Sequence, residues 1–239
     1  MLDGKVAVVT GGSRGIGESI MGLFVKNRAI VVNGDISVKN EDLVQRPDGV
    51  FEIRLDVSDR GQVRRAFEQI VKHFGRIDIL INNAGVCSDI AAKIEETPPE
   101  DWERIVSINM NGVANCTEAA LPIMREKQYG RIVNLSSLAG EIGGLAVSIA
   151  YTASKGAILS MTKVVARLEG PNNITANCIA PGFIITEMTV SHQHNLSMVP
   201  LRRRGEAIDV ANAALFLVSD MGRYITGSTI DVNGGVYMK

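Results

Sequence analysis

Short apolar runs alternate along this chain with segments whose apolar residues recur every three or four positions. Val6-Ala-Val-Val-Thr10 is a continuous apolar run and predicts a buried strand. Ile16 to Asn27 places Ile16, Ile20, Leu23 and Phe24 on one stripe and predicts a helix. Further strands are predicted at 30–33, 50–55, 77–81, 131–135, 175–179 and 228–232. Ser58-Asp-Arg opens a second helix with Val63, Phe67, Ile70, Val71 and Phe74 on one face. Pro98-Pro-Glu-Asp-Trp102 opens a third, because proline is tolerated in a first helical turn. Strands separated by helices predict right-handed βαβ units, hence an α/β fold with a doubly wound parallel sheet of about seven strands and helices on both faces. No linker, low-complexity stretch or repeat interrupts the pattern, so residues 1–239 read as a single domain.

Composition narrows the picture. The 239 residues are 46% hydrophobic and 21% charged, enough for one sizeable core. A formal charge of -1 gives no electrostatic case for nucleic acid or an anionic membrane. No apolar run reaches the roughly 18 to 20 residues that span a bilayer. Met1 to Lys5 leads straight into the first strand without the parts of a signal peptide, which predicts a cytoplasmic protein. Cys87, Cys116 and Cys178 are widely separated, lack metal-ligand spacing and read as free thiols in a reducing compartment. No metal site is expected.

The first strand runs into Thr10-Gly-Gly-Ser-Arg-Gly-Ile-Gly17 and then a helix. Glycine-rich backbone at Gly11, Gly15 and Gly17, with Ser13, Arg14 and Ile16 between, lets a diphosphate approach a helix N-terminus closely. Asp35 ends the second strand, 18 residues after Gly17, where a carboxylate can accept from both ribose hydroxyls of an adenosine. That carboxylate would repel a 2′-phosphate, which predicts NAD in preference to NADP. Arg14 argues the other way, since a guanidinium there can hold such a phosphate.

Tyr151 and Lys155 lie four residues apart in Ser148-Ile-Ala-Tyr-Thr-Ala-Ser-Lys155, on one face of a helix. A free phenol titrates near 10, too high for efficient proton exchange at neutral pH, and a neighbouring ammonium favours its anion.

Together these residues resemble the short-chain dehydrogenase/reductase family, over nearly the whole chain. The resemblance implies a Rossmann-type fold and a nicotinamide-dependent oxidoreductase acting on a secondary alcohol or ketone. It extends to Asp56-Val57, similar to the family's adenine-contacting pair, and to Asn82-Asn83-Ala84-Gly85, which looks like its N-N-A-G motif. Asn109 resembles the active-site helix asparagine, implied to anchor a water in a proton relay; bonding to backbone in a kinked helix is the other reading. Ser137 matches the serine that holds the reacting oxygen, with Ser136 the alternative if the register shifts by one. Tyr151 would exchange the proton, and Lys155 would depress its pKa and bind the nicotinamide ribose. Pro181-Gly182-Phe-Ile184-Ile-Thr186 is similar to the loop that locks the nicotinamide, with the Ile184 amide and Thr186 hydroxyl on its carboxamide.

Within the family the chain looks most like 3-oxoacyl-acyl-carrier-protein reductases, in Tyr224 to Met238, Gly130-Arg-Ile-Val and Val199 to Gly205. Arg131 matches a basic residue used there for carrier docking, while the second such position holds Asn172. Asp35 departs from that group's usual NADPH, and the segment between Ser137 and Tyr151 is longer by about one residue. A short substrate loop at about 187–200 contains Met188, His192, His194 and Met198; the two histidines read as solvated. The implied substrate is a small or carrier-tethered ketone or alcohol, and the implied assembly a homotetramer. An NAD-dependent polyol or sugar dehydrogenase is the alternative, and a dinucleotide-binding redox sensor without turnover the alternative of another class.

Overall fold

The computed structural model describes residues 1–88, 94–144, 147–187, 189 and 195–239. The strands are β1 (Val6–Thr10), β2 (Ile30–Asp35), β3 (Val44–Gln45), β4 (Phe51–Arg54), β5 (Ile79–Asn82), β6 (Gly130–Leu135), β7 (Ile174–Pro181), β8 (Ile184–Ile185), β9 (Gly205–Glu206) and β10 (Thr229–Val232). The helices are α1 (Gly15–Lys26), α2 (Arg60–Phe74), α3 (Pro99–Val106), α4 (Gly112–Lys127), α5 (Ala139–Ile142), α6 (Ile149–Glu169) and α7 (Ala207–Val218).

Eight strands form one sheet in the order β10-β7-β6-β5-β1-β2-β4-β3. Seven run parallel, as their continuous apolar sequences predict, and β3 adds a short antiparallel edge against β4. β3 was not expected, because two residues are too few to show a period. β8 and β9 form a separate parallel pair.

Both sheet faces are covered. Ile20, Phe24, Val210 and Leu217 of α1 and α7 pack on one face with Ala7, Val9 and Ile81. Phe67, Ile70, Cys116 and Met124 of α2 and α4 pack on the other with Val8, Leu80 and Ile132. Side chains alternate along each strand, so successive residues of β1 feed opposite cores.

β1 neighbours both β2 and β5, and the strand order reverses at this seam. In doubly wound sheets a ligand crevice opens beyond the strand ends at such a point. Here it lies between the turn after β1 and the turn after β5.

Candidate active site

The two turns are joined at the seam by side chains. Asn83 Nδ2 donates to the carbonyls of Thr10 (2.9 Å) and Gly11 (2.8 Å). The amides of Asn83 and Ala84 both donate to Thr10 Oγ1, each at 3.1 Å. Gly11 has a φ of +64°, and a Cβ there would lie 2.8 Å from Ala84 Cα, so only glycine fits. Thr10 was not singled out in the sequence; a threonine closing an apolar strand was the available signal.

A cleft of about 310 Å³ lies over this seam. Gly11, Arg14 and Ile16 form its floor at the start of α1, whose first-turn amides carry no side-chain cap. Asp35, Asp56 and Val57 line one end. Asn83, Ala84 and Gly85 line the centre, and Ser137, Tyr151 and Lys155 the other end. Pro181, Gly182, Ile184 and Thr186 close it from the side. Ser13, Gly15, Gly17 and Asn109 do not line the cleft; they shape residues that do.

Asp35 is buried at the end of β2. Its Oδ2 accepts from the Ser13 amide (3.1 Å), and its Oδ1 from the amide (2.8 Å) and hydroxyl (2.7 Å) of Ser37. Burial pushes the carboxyl up, but these donors outweigh it and hold the group below its ordinary value. Asn33 steadies the network by donating to Ser13 Oγ and accepting from the Gly12 amide. Arg14 is exposed and lies 3.5 Å from Glu187 across the cleft mouth. Asp56 accepts from the Ser58 amide and hydroxyl, and the Val57 carbonyl from Asn115.

At the other end, the Ser137 hydroxyl lies near enough to the Tyr151 phenol to favour its ionised form. Ser136 Oγ instead donates to the Lys155 carbonyl at 2.8 Å, so Ser137 is the serine that meets the phenol. Burial pushes the Tyr151 phenol up to about 12, and the Ser137 hydroxyl pulls it partly back. Lys155 Nζ donates to the Leu135 carbonyl at 2.7 Å and lies 5.6 Å from the Tyr151 ring centre. Burial lowers the ammonium to about 8. The expected depression of the phenol by Lys155 is therefore not what this geometry displays. The same apolar surroundings disfavour both charged forms.

Asn109 sits in a π-turn, Ser107–Asn111, between α3 and α4. Its Oδ1 accepts from the Val86 amide (2.8 Å), and its Nδ2 donates to the Val86 carbonyl (2.9 Å) and Ser154 Oγ (3.2 Å). The side chain thus ties the turn after β5 to α6, with both Nδ2 hydrogens used and one acceptor position left on Oδ1.

Gly182 donates to the Val232 carbonyl, and the Ile184 amide to the Gly182 carbonyl. The Thr186 amide donates to Thr189 Oγ1, which is also 3.1 Å from Thr186 Oγ1. The donors expected for a carboxamide are thus engaged within their own loop, with Thr189 a member that sequence reading passed over.

Arg131 requires a correction. It is 4% exposed, its Nη1 donates to the carbonyls of Gly130 and Asn173, and its guanidinium lies 4.4 Å from the Tyr129 ring centre. Buried on a central strand, it cannot present charge to a docking carrier. Asn172 pairs with Glu169 and Gln128. Met188, His192, His194 and part of the lengthened loop, 145–146, lie outside the described residues. Among the described residues no group of three or more His, Cys, Asp or Glu is placed to hold a metal, and no helix is long and apolar enough to cross a membrane.

A family model described as enoyl-(acyl carrier protein) reductase matches residues 11–237. The 3-oxoacyl-[acyl-carrier-protein] reductase FabG of Thermotoga maritima is 40% identical over 245 residues, 98% of each chain. Its namesake from Staphylococcus aureus is 38% identical over 246 residues, again 98% of each. The short-chain type dehydrogenase/reductase y4mP of Sinorhizobium fredii is 38% identical over 251 residues, 99% of this chain and 98% of its own. The crystal structure of gox2181 is similar with a TM-score of 0.89 at 28% identity, over 98% of this chain and 96% of that one.

Proposed function

The chain belongs to the short-chain dehydrogenase/reductase family and is an oxidoreductase acting on a carbon that bears a hydroxyl or keto oxygen; from this premise we propose that it reduces the keto group of a 3-oxoacyl thioester, held on a carrier protein or coenzyme A, with a nicotinamide dinucleotide. The observation that carries this reading is the Tyr151–Ser137 hydroxyl pair at one end of a cleft whose other end holds the carboxylate of Asp35. The names of the relatives favour the 3-oxoacyl class.

The residues present fit a dinucleotide. Gly11 gives close backbone approach, the uncapped amides of α1 suit a diphosphate, and Asp35 suits two ribose hydroxyls. Asp56 and Val57 would border the adenine, Asn83 to Gly85 the centre, and Gly182 to Thr186 the nicotinamide. When bound, the nicotinamide supplies the hydride. The chain's own residues handle the proton. Tyr151 Oη would donate to the carbonyl oxygen of the substrate; a buried phenol that keeps its proton at neutral pH is ready to do so. Ser137 Oγ would hold the same oxygen and, by its place beside Tyr151, ease loss of the phenol proton. Lys155, close to half-charged near pH 8, would return a proton to Tyr151 and bind the nicotinamide ribose. Asn109 would act by fixing Val86 and Ser154, and so the helix that carries Tyr151.

Asp35 supports NAD over NADP, because an ionised carboxylate repels a 2′-phosphate and no basic residue follows until Lys39. The same residue favours a second reading, an NAD-dependent polyol or sugar dehydrogenase. That no disulfide joins Cys87, Cys116 and Cys178 supports work in a reducing cytoplasm. Val164 and Leu168, exposed one turn apart on α6, support association through α4 and α6 into a homotetramer.

Steady-state kinetics with acetoacetyl-CoA against a polyol and sugar panel, with both dinucleotides, tests the proposal. Oxidation of NADH only with acetoacetyl-CoA supports it; reduction of NAD only with a polyol replaces it with the second reading. Dinucleotide binding without turnover on any substrate points to a redox sensor.

A further inference from the structure

Arg204 lies outside the reacting constellation, at the entry to β9, yet its guanidinium reaches into the loop that closes the cleft. Its Nη2 donates to the Ile184 carbonyl (3.2 Å), the Thr189 carbonyl (2.9 Å) and Thr189 Oγ1 (2.9 Å). The Thr189 hydroxyl in turn donates to the Ile184 carbonyl and accepts from the Thr186 amide. One nitrogen thus gathers Ile184 and Thr189, and Ile184, Thr186 and Thr189 all line the cleft.

The neighbouring Arg203 behaves differently: its Nη1 lies 3.0 Å from Asp209 Oδ2, an exposed ion pair at the start of α7. Among the described residues Arg204 pairs with no carboxylate, and its Nε is buried without a hydrogen-bond partner. Its charge is met by the carbonyl dipoles of the loop. Backbone pairing reinforces the contact, since the Gly205 amide donates to the Phe183 carbonyl and β8 pairs with β9. The two hydrogens of this one nitrogen are shared among two carbonyls and a hydroxyl, at the end of a charged, rigid planar group.

We infer that Arg204 is a positioning residue that sets Ile184, Thr186 and Thr189 over the nicotinamide end of the cleft. The inference rests on the dinucleotide reading above. It makes a division that a general structural role does not: loss of the Arg204 contacts disturbs the grip on the nicotinamide half more than the grip on the adenosine half, whose floor is stitched separately by Thr10 and Asn83.

The test compares NADH with ADP-ribose, which lacks the nicotinamide, by calorimetric titration of the full-length protein and its Arg204→Gln, Arg204→Lys and Thr189→Val variants. Arg204→Gln is expected to raise the Kd of NADH about tenfold, the loss of one charge-assisted hydrogen bond, while that of ADP-ribose stays within about twofold. Arg204→Lys should recover part of the NADH affinity, because an ammonium still donates to carbonyls. Thr189→Val, which removes one acceptor, should shift NADH in the same sense by less. NADH affinity within about twofold of wild type in Arg204→Gln overturns the inference, as does an equal loss of both ligands. Wild-type protein that binds neither ligand defeats the dinucleotide reading and this inference with it.

Discussion

Lys239 holds the carboxylate of Glu141 at 2.6 Å, and its ammonium also lies 3.5 Å from Asp231. Glu141 belongs to α5, the single helical turn that follows Ser137, and its side chain is 6% exposed. α5 in turn lies against the backbone of the helix bearing Tyr151: a Cβ on Gly140 would come within 2.7 Å of the Lys155 carbonyl carbon. One ammonium between two carboxyls leaves a surplus negative charge, and Glu141 Oε2 and Asp231 Oδ1 are buried without partners.

Burial pushes Asp231 up to about 6, with the nearby Glu141 adding to the effect. A carboxyl whose folded value is raised takes a proton more readily in the native state than in the unfolded chain. Stability is therefore lost as pH climbs from about 4 through 6. Asp231→Asn should flatten that part of the curve and gain most, relative to wild type, at pH 8. Lys239→Met should cost about 1 kcal/mol, a Tm lower by about 2–4 °C. Thermal melts across pH read both effects.

Tyr151→Phe should lower turnover by about a thousandfold or more while the Kd for the dinucleotide stays within about threefold, because the ring remains and only the proton donor is lost. Ser137→Ala should cost about ten- to a hundredfold in kcat. The double variant should be far from additive, since the two hydroxyls are neighbours and would serve one oxygen. Stopped-flow turnover with dinucleotide titrations separates the two effects.

Asp35→Ala removes a held anion and should weaken NAD about tenfold while bringing NADP to comparable affinity. Ser37→Ala, which takes away one of the donors that keep Asp35 ionised, should shift the preference in the same direction by less. The ratio of kcat/KM for the two dinucleotides is the measurement.

Lys155 is buried with its ammonium lowered to about 8 from an ordinary 10.5. Between those values the unfolded chain binds more protons at this site than the native one, so Lys155 should add stability as pH rises, by on the order of 1 kcal/mol between pH 7 and pH 9. Lys155→Met should lose that rise. The effect is cleanest below pH 9, because Cys116 and Cys178, pushed up by burial, act in the opposite sense above it, followed by Tyr151. Chemical denaturation of wild type and Lys155→Met at pH 7 and pH 9 tests this.

Light scattering should give four times the chain mass for the wild type. Val164→Asp with Leu168→Asp should reduce that mass, since a charge at each exposed position opposes apolar association across α6.

The parallel strands and the glycine turn were legible because a buried strand is apolar throughout and a close backbone approach demands glycine. Asp35 was legible because it ends a strand at a fixed offset from that turn. β3 escaped notice because two residues carry no period, and the β8–β9 pair because its bonds join residues about twenty apart. Arg131 misled for a physical reason: a basic side chain suggests a surface, but stacking on Tyr129 and two carbonyl acceptors make this one part of the interior. Asn109 and Arg204 act through partners supplied by other elements, and nothing in local spacing announces Val86 or Thr189 as those partners. Lys155 Nζ likewise finds its acceptor in the carbonyl of Leu135, twenty residues earlier, and its lowered ammonium reflects burial that no local spacing shows.

The four hydrogen bonds from Asn83 and Ala84 to Thr10 and Gly11 have a kinetic meaning. They join atoms of the protein alone, across a gap of more than seventy residues, so the cleft floor acquires its shape when the sheet assembles rather than when a ligand arrives. A dinucleotide meeting this floor has no backbone there to organise, and its arrival at the adenosine end should be limited by diffusion and orientation. Any slow, temperature-sensitive phase of binding then belongs to the opposite side of the cleft, where the closing segment is tied by the two-residue β8–β9 pair and by the Arg204 and Thr189 side chains.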